Sequence, residues 1–122
     1  MTINEAIKNV DTLLPNVYSD DDKIRWLSTV DGLIYNNIIK RCHGAPEYSG
    51  YNSDTPAETE LLVGGPYTDI YLHWLESKIY FYNGEYGKYN NAVMEYNSMY
   101  KAFGAEYNST HMPITRREAR YF

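Results

Sequence analysis

The sequence predicts a mainly α-helical protein of one domain, covering residues 1–122, and two observations support this prediction. Between residues 66 and 107, apolar and aromatic residues recur at alternating steps of three and four, the spacing of one helix face. Two stretches nearer the amino terminus repeat this spacing. We expect four or so helices, together with a long irregular loop that has room for a short β-hairpin.

The first helix is predicted from its start and stop signals. Thr2 and Glu5 have the spacing of a capping box, in which each side chain accepts a hydrogen bond from the other residue's backbone. Pro15 ends the apolar stripe that follows, because the residue before a proline is disfavoured in a helix. The result is a short amphipathic helix.

The second helix is predicted to begin after Ser19 and to run to Arg41. Ser19 is a favourable N-cap, and residues 20–22 place three carboxylates at the positive end of the helix dipole. Neighbouring helical positions point in different directions, so capping is favoured over metal binding. Apolar residues outside the main stripe predict either a helix packed between others or a second face for a partner. These residues are Trp26, Leu33 and Ile39.

Residues 43–65 are predicted to form a long loop, because six glycines and prolines interrupt them. Residues 60–63 could form a short strand paired with Glu47 and Tyr48. Long loops inside compact domains are often functional. The loop is therefore either an arm that contacts a neighbouring molecule or an unpacked excursion.

The stripe in residues 66–107 is unusually rich in tyrosine, a residue that suits half-buried surfaces and subunit interfaces. Asn83 and Gly84 form a helix-stop signal in its middle, which favours two antiparallel helices over one long helix. The tyrosine face packs either within the chain or against another subunit. The candidate interface residues here are Tyr89, Tyr96 and Tyr100, with Trp26 on the second helix.

The carboxyl-terminal segment, residues 111–122, is predicted to leave the helix and extend. It combines basic and aromatic side chains, which interfaces often use as anchors. It is either a disordered end or a docking peptide. Its candidate interface residues are Arg116, Arg117, Arg120 and Phe122.

Composition and motifs exclude several classes of function. A net charge of −5 argues against tight binding to a phosphate backbone. The single cysteine excludes an internal disulfide framework, and no apolar run reaches the length of a membrane span. No phosphate-binding glycine loop, paired-cysteine zinc motif or HExxH helix is present. We therefore expect no enzymatic activity, no cofactor and no metal.

Three groups of segments resemble a group of small phage and prophage proteins from Firmicutes. The first comprises residues 2–6 and 15–20, the second residues 22–28 and 31–35, and the third residues 59–63, 66–67, 83–86 and 89–91. The wider pattern is similar to the head–tail connector, or adaptor, proteins of tailed phages. Those proteins have a short first helix, an acidic-capped second helix, an irregular segment and further helices.

This resemblance implies a structural protein of the virion neck, made in the bacterial host cytoplasm. It implies a homo-oligomeric ring of about a dozen copies, closed by head-to-tail contacts. The ring would dock beneath the portal protein, extend the channel through which DNA passes, and receive the next neck or tail protein. The alternatives are another head-completion or tail-completion protein, or a small helical regulator that binds a host protein.

Overall fold

The computed structural model describes residues 1–114 and confirms the predicted all-α fold class. Four α-helices follow one another within these 114 residues. They are α1 (Ile3–Leu13), α2 (Asp20–Asn37), α3 (Asp69–Asn83) and α4 (Tyr86–Thr110). Two short 3₁₀ turns, Ile39–Arg41 and Gly65–Tyr67, follow α2 and precede α3.

The predicted caps of α1 and α2 are confirmed. The Thr2 Oγ1 accepts a hydrogen bond from the Glu5 backbone N–H at 3.1 Å, and Glu5 Oε1 accepts one from the Thr2 N–H. The Ser19 Oγ accepts a hydrogen bond from the Asp22 backbone N–H at 3.1 Å. Both helices therefore begin where their capping signals predict.

The end of α2 differs from the prediction. The α-helix ends at Asn37 rather than Arg41, and the last three predicted residues form a 3₁₀ turn. Ile38 and Ile39 are both buried, although they are consecutive. Ile38 departs from helical geometry, with φ −125° and ψ −63°, so the two side chains are not held at the fixed 100° spacing of a continuous α-helix.

The loop forms no strand within residues 1–114, so the suggested pairing of residues 60–63 with Glu47 and Tyr48 was wrong. The backbone N–H groups of residues 61–63 donate hydrogen bonds to groups outside the loop instead. Glu60 forms an isolated bridge with Thr2 beside α1, and the Leu61 N–H donates to the Met1 carbonyl at 2.9 Å. The next two N–H groups donate to side chains of α2 and α3, as described below.

The stripe in residues 66–107 divides into two helices at the predicted position. Gly84 has a φ of 77°, a left-handed conformation that favours glycine, and it ends α3. The Glu85 N–H reaches back to the Tyr80 carbonyl at 2.9 Å, and α4 then begins at Tyr86. The predicted helical hairpin is therefore confirmed.

Ring contacts between the two arms of this hairpin show that they are antiparallel and keep a seven-residue repeat. Tyr67 contacts Phe103, Trp74 contacts Tyr96, and Phe81 contacts Tyr89, with ring centroids 6.0, 5.0 and 5.4 Å apart. Each step of seven residues forward along the first arm matches a step of seven backward along α4. The 3.5-residue period of the sequence thus corresponds to layered packing between these two arms.

The core lies between α1, α2 and α3, and α4 covers α3 from outside. Within this core, α2 is packed on more than one side, as one of the two alternatives predicted. Trp26 and Ile39 are buried, whereas Leu33 is 42% exposed. The apolar residues outside the main stripe of α2 are therefore mostly covered by the chain itself.

Candidate docking surfaces

A fully buried carboxylate on α2, that of Asp31, fixes the long loop to the helices. Its Oδ2 accepts hydrogen bonds from the Tyr51 hydroxyl at 2.6 Å and the Leu62 N–H at 3.1 Å. Its Oδ1 accepts one from the Tyr71 hydroxyl at 2.6 Å, and that hydroxyl accepts one from the Val63 N–H at 2.8 Å. We call these five residues the Asp31 cluster.

Burial shifts the acidities within this cluster. Burial raises the pKa of Asp31, and the hydrogen bonds from Tyr51, Tyr71 and Leu62 offset only part of that effect. Burial also raises the pKa of the Tyr71 hydroxyl, and the neighbouring carboxylate raises it further. Asp31 is wholly inaccessible to solvent and its oxygens already accept these three hydrogen bonds. The cluster therefore stabilises the loop rather than offering an open site.

Sequence reasoning did not assign a role to Asp31, although a signal was present. Asp31 lies four residues after Leu27 and three before Ile34, both fully buried, so it occupies a core position of α2. A carboxylate at such a position requires buried donors. The tyrosines of the loop and of α3 supply them.

The first half of the loop is held by a second contact with α2. The Tyr48 hydroxyl donates to the Ser28 carbonyl at 2.6 Å, and the Ser28 Oγ accepts from the Tyr51 N–H at 3.0 Å. The Tyr48 ring also packs against the rings of Tyr35 and Tyr51. This part of the loop is therefore packed on its own chain, and a role as an arm toward a neighbour stays a prediction.

A buried lysine fixes the connection between α1 and α2. The Lys23 ammonium group, 2% exposed, donates to the Tyr18 carbonyl and to Asp11 Oδ1, both at 2.8 Å. Burial raises the pKa of Asp11, but hydrogen bonds from Lys23 and Asn16 outweigh it and lower the pKa overall. The linker thus has a defined position at this end of the molecule.

Exposed hydrophobic side chains concentrate at that end. Of the eight large hydrophobic residues that are exposed within residues 1–114, five lie at the end of α1, in the following linker, or at the α3–α4 turn. We call them the aromatic end: Leu13, Val17, Phe81, Tyr82 and Tyr86, which are 64, 92, 45, 57 and 60% exposed. Exposed apolar side chains concentrated in one part of a molecule indicate a candidate interaction site.

Ring contacts with Trp26 and Tyr18 hold Tyr82, one residue of the aromatic end, in place. The Tyr82 ring stacks on Trp26, with centroids 5.7 Å apart, and lies 6.2 Å from the Tyr18 ring. The Tyr18 hydroxyl donates to Asn83 Oδ1 at 2.7 Å. These contacts join the α1–α2 linker to the α3–α4 turn.

The candidate interface residues divide into three groups. Trp26 and Tyr96 are 5 and 8% exposed, so little of either ring is available to a partner. Tyr89 and Tyr100 are half-buried, packed on Phe81 and Tyr96 respectively. Their contact with a partner stays a prediction. The remaining four candidates, Arg116, Arg117, Arg120 and Phe122, lie outside the described residues.

A groove lies at the opposite end of α2, which is about 27 Å long. It has a volume of about 740 Å³, in the range of pockets that bury small ligands. We call it the basic groove, and it is lined by Asn36, Lys40, Arg41, Asn108, Pro113 and Ile114. Within residues 1–114, neither Lys40 nor Arg41 forms an ion pair.

Polar groups elsewhere form local pairs. His73 Nδ1 lies 3.4 Å from Glu76 Oε1 on α3, and Cys42 is a buried free thiol whose Sγ lies 3.8 Å from the Ile38 carbonyl oxygen. In the described part of the chain, no three His, Cys, Asp or Glu residues are grouped to hold a metal ion. None of the helices in that part is long and apolar enough to cross a membrane.

Comparison with known proteins adds no relative. No protein-family model, no curated protein and no solved structure matches the chain. The class defined by the structure is therefore a mainly α-helical protein.

Proposed function

We propose that this chain is a structural protein of a phage neck, a head–tail connector that assembles with copies of itself into a ring beneath the portal. The aromatic end carries this proposal, because it concentrates exposed apolar surface on one rigidly supported part of the molecule. Such surface is costly in water and becomes favourable when an interface covers it. The segments that resemble connector proteins point to the same role.

The charge of the chain fits this role. A channel through which DNA slides should not bind phosphates tightly, and the net charge of −5 disfavours such binding. A structural role also requires no catalytic group. The partners proposed with it are the portal protein, the next neck or tail protein, and further copies of this chain.

The test is native mass spectrometry over a range of protein concentrations. The expected result is a discrete species of about a dozen subunits, since a closed ring has a fixed copy number. A stable dimer at every concentration would instead favour a regulator that binds a host protein.

A pair of matched variants links the assembly to the aromatic end. Val17→Ser with Tyr86→Ser removes two of its most exposed side chains, and we expect helical circular dichroism to be retained while the large species disappears. The control, Leu33→Ser with Met94→Ser, removes two exposed hydrophobic residues from elsewhere on the helices and should assemble normally. Equal behaviour of the two variants would contradict a role for the aromatic end.

A further inference from the structure

We propose that the aromatic end of one copy docks into the basic groove of the next copy, so that the subunits associate head to tail. This inference rests on the proposed assembly function and identifies the two surfaces that meet. The proposed occupant of the groove is a second copy of this chain.

The two ends of α2 carry opposite charge. Asp20 and Asp21 are exposed at its start, two and three residues after Tyr18, whose ring packs against Tyr82 of the aromatic end. Lys40 and Arg41 are exposed beyond its other end and line the basic groove. Each subunit therefore presents an acidic, apolar surface at one end and a basic cavity at the other.

Two carboxylates beside the aromatic end are available for such a contact. Asp22 already pairs with Arg25 at 2.8 Å, but Asp20 and Asp21 form no ion pair within residues 1–114. The same holds for the two basic residues of the groove. Bringing these ends together would pair the charges of two subunits, and complementary charge of this kind selects the partner and its orientation.

The polarity of the groove agrees with this arrangement. The groove combines Pro113 and Ile114 with polar and charged groups, so it can receive exposed apolar side chains flanked by carboxylates. A contact between two different surfaces is heterologous, and it closes into a ring or continues as a filament according to its rotation. A head-to-head contact would instead bring carboxylates of two copies together, which is unfavourable.

The test uses two variants of the whole chain that reverse the charge of one end each. The groove variant carries Lys40→Glu and Arg41→Glu, and the end variant carries Asp20→Lys and Asp21→Lys. We expect each alone to associate at least about tenfold more weakly than the natural chain, because like charges then meet. The control, Lys8→Glu with Lys101→Glu, makes the same charge change as the groove variant at exposed helical positions and should associate normally.

Restoring complementarity is the decisive measurement. An equimolar mixture of the two variants should assemble again, because each end then meets an oppositely charged partner, and so should a chain with all four changes. Circular dichroism checks that each variant is folded. A salt titration of the natural chain provides a second measurement, in which association should weaken as ionic strength rises.

The alternative outcomes separate this inference from the proposed function. Failure of the mixture to assemble, or an association of the natural chain that is insensitive to salt, would overturn the inference and leave the ring proposal to its own test. A natural chain that stays monomeric at every concentration would also overturn it. Variants that behave as expected in an assembly that grows without limit would support the head-to-tail contact and contradict the closed ring.

Discussion

At the scale of single residues, Asp31 is a buried carboxylate at a core position of α2 that is stabilised by hydrogen bonds instead of apolar contacts. It lies in the core, yet within residues 1–114 it forms no ion pair, and it depends on two phenol hydroxyls and one backbone N–H. A buried acceptor is tolerated only while its donors remain in place. The contributions of these donors should therefore differ according to what else each donor supports.

We expect Tyr71→Phe to lower the free energy of unfolding more than Tyr51→Phe. Removing the Tyr71 hydroxyl takes one donor from Asp31 and also leaves the fully buried Val63 N–H without its acceptor. Such a loss costs about 1–3 kcal/mol. Among residues 1–114 the Tyr51 hydroxyl bonds to Asp31 alone, and Tyr51 is only half-buried, so water can compensate.

Urea denaturation of both variants measures the difference directly. Tyr35→Phe is a suitable control, because this half-buried tyrosine contacts the loop through its ring. Equal losses for Tyr71→Phe and Tyr51→Phe would mean that the Val63 N–H finds another acceptor, and the assigned role of Tyr71 would be wrong.

At the scale of elements, the α3–α4 turn depends on the backbone of one glycine. Gly84 has a left-handed φ of 77°, and a Cβ added there would meet no atom within 4 Å. The cost of Gly84→Ala is therefore purely conformational, and we expect about 1–2 kcal/mol of lost stability. Thermal unfolding followed by circular dichroism measures this loss.

Gly87, three residues further on, is the matched control. It lies within α4, and a Cβ there also meets open space. Gly87→Ala should raise stability by up to about 1 kcal/mol, because alanine is the better helix former. If both substitutions lowered stability equally, the effect would not come from the left-handed turn.

The helices and their ends, apart from the end of α2, could be predicted because their signals are local. Thr2, Ser19 and Gly84 each act on backbone groups within a few residues, so the pattern alone reveals them. The course of the loop could not be predicted in this way. Its N–H groups at Leu62 and Val63 bond to side chains 31 and 8 residues away, and the packing of the helices decides which side chains those are.

The candidate docking surfaces could be predicted only in part, because they too depend on how the helices pack. A helical period identifies the tyrosine face but cannot tell which of its rings another helix covers. Tyr96 lies opposite Trp74 and is buried, whereas Tyr82 and Tyr86 lie next to the turn and remain exposed. The basic groove needs residues 36–41 together with residues 108–114, which are far apart in the sequence, so no single segment reveals it.

At the scale of the whole molecule, two carboxylates should make opposite contributions to the pH dependence of stability. The folded chain holds the Asp31 proton more tightly than the unfolded chain, because burial raises its pKa above 3.8. Its contribution to the free energy of unfolding therefore falls as pH rises from 3.8 through the folded pKa. For Asp11, whose pKa is lowered, the contribution is present above 3.8 and is lost as pH falls.

Comparing the natural chain with Asp31→Asn and Asp11→Asn over a pH series tests both statements. The stability difference between the natural chain and Asp31→Asn should shrink as pH rises. The difference for Asp11→Asn should grow over the range around 3.8. Parallel curves for the two variants would contradict the opposite shifts.

The Asp31 cluster also has a consequence for the order in which the chain folds. Its carboxylate is on α2, its bridging phenol is on α3, and the partners of Asp31 lie 20, 31 and 40 residues further along the chain. Contacts so distant in sequence form only after the intervening segment has closed, which is slow compared with helix formation. The loop should therefore gain its shape late, after the two helices have met. The exchange of the Leu62 and Val63 amide protons would then report on the docking of two helices to which neither residue belongs.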